Sequence, residues 1–190
     1  ASPKLWMDAY LAAFALGVAE FTDVRLYAAG EYRFVAQLDG VDLFSEPSET
    51  WIVFASTPDH LTFAPAPSSP QIVGFTWNAF AVEARDIFEN VVDWDSSSSI
   101  SARSEDPAVS LEGGTVVQQE RGRAVFDTLM TTIAGDLALS FASTDQAVRG
   151  LEHVVISIRP GPAERFVTEE IPAEVIAGDY LDMHVSARDH

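Results

Sequence analysis

Ala19-Glu20-Phe21 with Ala29-Gly30-Glu31 is matched by Ala124-Val125-Phe126 with Ala134-Gly135-Asp136, at a constant offset of 105 residues. Further along, Gly74 and Ala84-Arg85-Asp86 recur as Gly178 and Ala187-Arg188-Asp189, at offsets of 104 and 103. An offset that drifts by a residue at a time is what single-residue loop insertions leave between two copies of one architectural unit. A period near one hundred suits a β-sandwich of about one hundred residues and is too long for a solenoid repeat. The chain has 190 residues, so it holds one whole unit of that size and parts of others.

Hydrophobic alternation agrees with strands. Tyr32, Phe34 and Ala36 share one face, and Leu137, Leu139 and Phe141 are their counterparts one period later. Phe80, Val82 and Ala84 alternate with Ala81, Glu83 and Arg85, and Met183, Val185 and Ala187 repeat that face. Val154, Ile156 and Ile158 form another row expected to be buried. Asp39-Gly40, Gly113-Gly114 and Arg121-Gly122 punctuate these runs as turns. Leu5 to Ala19 has helix-forming composition, but under the offset it overlies Gly113-Gly114 and Thr115-Val116-Val117, so strands are expected there too. Pro58 and Pro162 each follow one apolar strand and precede another, which sets the boundaries. Residues 58–161 are expected to be a complete sandwich, 1–57 the later part of a preceding unit and 162–190 the first strands of a following one.

Composition bounds the partners. Apolar residues make up 47% of the chain, enough for a packed core, and there is no cysteine, hence no disulfide and no thiolate metal site. Twenty-nine acidic residues stand against eleven basic ones, a formal net charge of −18 that repels nucleic acid and anionic lipid. Either adaptation to high salt or divalent-cation binding accounts for such a balance, and the even spread of the acids favours the first. Leu5 to Ala19 is shorter than the roughly 20 residues of a membrane span and is broken by Asp8, so no membrane insertion is expected. Export stays open.

Gly74 to Val92 (GFTWNAFAVEARDIFENVV) resembles the strand–turn stretch of bacterial immunoglobulin-like repeats, which often read AGxxFxVxVxAxDxxGNVV. Gly114 to Gly135 (GTVVQQERGRAVFDTLMTTIAG) is similar to their next strand pair, and Ile158 to Phe166 (IRPGPAERF) to their joint between units. Glu89 stands where that pattern has its turn glycine. The resemblance covers 58–190 and, less closely, 16–57. It implies an all-β, immunoglobulin-like sandwich in a tandem array of the kind found in invasin-like and other prokaryotic surface adhesins. It also implies an extracellular or cell-surface location, as spacer, stalk or adhesive module, with neighbouring units, a surface glycan or a host ligand as partners.

Candidate chemistry is sparse. Asp86, Glu89, Asp93 and Asp95 form the densest acidic group, and their hard oxygens suit calcium, best placed at a joint between units. Asp59, Glu164, Glu169 and Glu170 carry the same expectation more weakly. Asp95-Ser96-Ser97-Ser98-Ser99 has the letters of a metal-adhesion loop, but nothing alternates strand with helix as that site requires. His60, His153, His184 and His190 are scattered and no catalytic motif is present, so no enzyme activity is expected. Of the tryptophans, Trp51 and Trp77 are expected in a core, while Trp6 and Trp94 are candidates for a sugar-stacking face. The favoured reading is a structural or adhesive protein, either cut from a longer array or joining head to tail by strand addition between copies. An acidic all-β capsid or decoration protein of a salt-adapted virus and a carbohydrate-binding module are the alternatives.

Overall fold

A computed structural model of the chain describes residues 16, 18–21, 24–163, 165–169 and 184–188. All regular structure among them is β, so the fold is all-β with several sheets. The expected strands at 5–15, and Met183, Gly178 and Asp189 of the repeat, lie outside the described residues.

The first sheet is a hairpin of β1 (Gly30–Tyr32) and β2 (Trp51–Val53). Ten strands follow: β3 (His60–Phe63), β4 (Gln71–Ile72), β5 (Phe80–Arg85), β6 (Ser99–Ser104), β7 (Leu111–Glu112), β8 (Val116–Gln118), β9 (Arg123–Phe126), β10 (Met130–Thr131), β11 (Gly135–Ser143) and β12 (Leu151–Arg159). β13 (Arg165–Glu169) and β14 (His184–Arg188) close the described chain as a second hairpin.

Residues 58–161 build two facing sheets, one in the order β3-β5-β9 and one in the order β4-β12-β11-β6-β8, with β7 and β10 as a short extra pair. The sequence alternation explains which side chains lie between them. Leu137, Leu139 and Phe141 point inward from β11, Ile156 and Ile158 from β12, and Phe80, Val82 and Ala84 from β5, all buried. Ala81, on the opposite face of β5, is buried as well, so that strand is covered on both sides at this point. Four phenylalanines from both sheets meet at the centre. Phe80 and Phe126, directly paired across β5 and β9, stack at 5.2 Å, and Phe141 meets each edge-on at 5.8 and 5.6 Å. Phe63 closes the group at 5.4 Å from Phe141. Such pairs add about 0.5–1.5 kcal/mol each beyond area burial.

The pairing registers of the outer hairpins copy those of the central unit. Gly30 faces Val53 and Tyr32 faces Trp51; Gly135 faces Ile158 and Leu137 faces Ile156, every position 105 further on. Gly30 and Gly135 also share positive φ, 153° and 131°. His60 faces Arg85 as Arg165 faces Arg188, displaced by 105 on one strand and 103 on the other. Register is strongly specified only where a face is buried, because a one-residue slip turns every side chain over.

Burial, however, differs between the matched positions. Trp51, expected in a core, is 61% exposed, whereas its counterpart Ile156 is buried. Phe21 is half exposed while Phe126 is buried, and Val185 and Phe166 are open where Val82 and Leu61 are covered. The reason is geometric: each outer hairpin is a two-stranded sheet whose apolar face has no second sheet opposite it among the described residues.

Candidate functional site

The acidic group singled out in the sequence lies on the connection between β5 and β6, where residues 27–29 and 55–56 dock onto the central unit. β5 ends at Arg85, and the next residue, Asp86, is fully buried. Its carboxylate accepts hydrogen bonds from the backbone N–H groups of Phe88 and Asn90, each at 2.9 Å, and from the Asn90 side-chain amide. The same carboxylate accepts the Ser56 N–H at 2.9 Å, so one side chain closes its own turn and holds the approaching linker. An Asp that binds amides two and four residues on is a short-range turn former. Burial alone pushes the Asp86 pKa up, but the donors from Asn90, Ser56 and Phe88 outweigh it and hold the pKa below the ordinary carboxylate value.

Asn90 continues the clamp. Its side-chain oxygen accepts the Ala29 N–H at 2.9 Å, and its amide nitrogen donates to the Tyr27 carbonyl at 2.8 Å. The Tyr27 and Phe88 rings lie 4.9 Å apart beside it. Trp94 donates from its indole N–H to the Ala55 carbonyl at 3.0 Å, with its ring half exposed. Asn90, Phe88 and Tyr27 were not anticipated as site residues. Their signal in the sequence is the spacing Asp86-x-x-x-Asn90, a turn signature.

The four calcium candidates therefore occupy different settings. Asp86 is saturated by amide donors. Asp95 accepts from the Ser97 N–H at 2.9 Å, the Ser97 hydroxyl at 3.0 Å and the Ser98 N–H at 3.3 Å. Burial raises its pKa, and those serine donors bring it below the usual value. Its backbone carbonyl accepts the Gly122 N–H at 2.7 Å, and Gly122, at φ 73°, brings its backbone so close to the Val92 carbonyl that a Cβ would collide with it. Asp93 is exposed, 3.9 Å from Arg121, and Glu89 is exposed with a carboxylate oxygen 3.4 Å from His60 Nε2. Among the described residues no three His, Asp or Glu side chains are grouped so as to hold a metal ion.

Beside the clamp, Asp59 bonds the Arg149 guanidinium and lies 3.1 Å from His60 Nδ1. The Arg149 bond, then the His60 bond, lowers its pKa. His153 Nδ1 meets Glu105 at 2.9 Å, and His184 sits on β14. Trp77 is buried in the core as expected, and Trp6 and His190 lie outside the described residues.

The chain matches no protein-family model and no curated protein sequence. Among the described residues no helix is long and apolar enough to cross a membrane.

The turn that carries the clamp keeps the left-handed conformation a glycine would favour: Glu89 has φ 68°. Its N–H donates to the Asp86 carbonyl at 3.1 Å, and its own carbonyl accepts from Arg85 at 2.9 Å. A left-handed non-glycine residue costs about 1–2 kcal/mol. Glu89→Gly is accordingly expected to stabilise the chain by about 1 kcal/mol, less the loss of a weak exposed contact to His60, read as a raised urea midpoint at unchanged slope.

Proposed function

We propose that this protein is a non-enzymatic structural module of a cell surface or extracellular filament, built from tandem immunoglobulin-like sandwiches. Residues 58–161 are the whole unit, and 1–57 and 162–190 are parts of its neighbours. The observation that carries this reading is the repeated register: β1–β2 and β13–β14 pair as β11–β12 and β3–β5 do, one period away.

The strand order supports the sandwich type. If β3 and β4 are two halves of a first strand that changes sheets, β5 and β9 share its first half's sheet while β6, β11 and β12 form the other. That is the division of an immunoglobulin sandwich. A spacer must also carry direction from one unit to the next. The Asp86–Asn90 clamp supplies it through direct hydrogen bonds to the incoming segment at Tyr27, Ala29 and Ser56. A net charge of −18 keeps neighbouring arrays hydrated and apart and disfavours nucleic acid and anionic lipid as partners.

Antibodies raised against the chain are expected to label intact producing cells, or filaments outside them, without permeabilisation. Labelling that appears only after the cells are opened would overturn this reading.

A further inference from the structure

We propose that the β13–β14 hairpin of one copy covers the apolar face of the β1–β2 hairpin of a second copy, joining chains head to tail. This deepens the tandem-sandwich reading and rests on it. The chain carries its own template for the contact. In the central unit the β3–β5 pair faces the β11–β12 pair across the core, and each pair recurs with the same register on an outer hairpin. Superposing the register on the template sets Phe166 and Val185, in the places of Leu61 and Val82, against Tyr32, Phe34, Trp51 and Val53, in the places of Leu137, Leu139, Ile156 and Ile158. The template residues are all buried, whereas Phe166 is 79%, Trp51 61% and Val185 56% exposed. Tyr32, Phe34 and Val53 are half-buried, so the first hairpin is open chiefly at Trp51, and the two hairpins are the two halves of one sandwich core.

Backbone and charge agree. In the template Leu61 N–H donates to the Arg149 carbonyl at 2.9 Å, and His60 bridges Arg149 in parallel. One period away the same contact brings Arg165 and Phe166 beside Phe44, which is half exposed and bridged to Gln37. Phe44 closes a turn that carries Asp39 and Asp42, so Arg165 and its cross-strand neighbour Arg188 approach two carboxylates. Arg165 and Arg188 each have an acid next to them in the sequence, Glu164 and Asp189, so the charge complementarity is between these two guanidinium groups and the acidic turn and not between oppositely charged patches. The composite has no counterpart of β6, so β1 keeps one open edge while its apolar face is covered.

Sedimentation velocity on the full chain at rising concentration tests the proposal, with two variants. Phe166→Asp with Val185→Asp disables the covering hairpin, and Trp51→Asp disables the covered one; all three positions are exposed, so the central core is untouched. The parent is expected to form a ladder of species, and each variant alone to stay monomeric. An equal mixture of the two variants is expected to form a species of two chains and nothing larger, because the pair's outer ends are both disabled. A parent that stays monomeric, variants that still form ladders, or a mixture that stays monomeric each overturn the proposal. If cells are nonetheless labelled from outside, the spacer reading survives that failure.

Discussion

Asp86→Ala is expected to cost about 3–5 kcal/mol and to release residues 27–29 and 55–56 from the central unit. The carboxylate is fully buried and binds the N–H groups of Ser56, Phe88 and Asn90 together with the Asn90 side chain. Alanine leaves three backbone donors without that acceptor, and each donor bond to a charged group is worth about 1.5–3 kcal/mol. It also unseats Asn90, which holds Tyr27 and Ala29. Urea unfolding measures the loss, and hydrogen exchange at the Ala29 and Ser56 amides should speed up while the β11 and β12 amides keep their order of protection. Fast exchange at Ala29 and Ser56 already in the parent would show that the clamp does not hold in solution.

The same carboxylate sets an acid limit. Asp86 and Asp95 have pKa values below normal in the folded chain, so their stabilising effect is complete above the unfolded value of about 3.9 and is lost as pH falls through the folded value. The stability gap between the parent and Asp86→Asn is thus expected to be constant above about pH 5 and to shrink below about pH 4. A gap that widens on acidification would mean that the folded pKa is raised.

Strands and their spacing were legible because alternation reports a face that is covered, and the 105-residue offset reports when the same face returns. The drift of that offset to 103 reappears as the register of β13 against β14. What was not legible was coverage by a particular partner. Trp51 has the pattern of a core residue because its counterpart Ile156 is one, yet it is open in the chain by itself. The settings of the acids were not legible for a related reason. Residue type places hard oxygens in one loop, but only the backbone path decides whether N–H groups reach them first, as they do at Asp86 and Asp95.

Phe126→Ala and Phe21→Ala test that asymmetry between copies, since the two residues sit 105 positions apart in matching sequence. Phe126 is buried, stacked on Phe80 and edge-on to Phe141, so its removal opens a cavity between the two sheets and is expected to cost about 3–5 kcal/mol. Phe21 is half exposed, and its loss from the isolated chain should change stability by less than about 1 kcal/mol. Thermal and urea unfolding of dilute protein read both. Equal losses would mean that Phe21 is covered within a single chain, leaving a joining copy no open face to complete at that position. A large loss at Phe126 alone means that the single chain builds a core around Phe126 and none around Phe21.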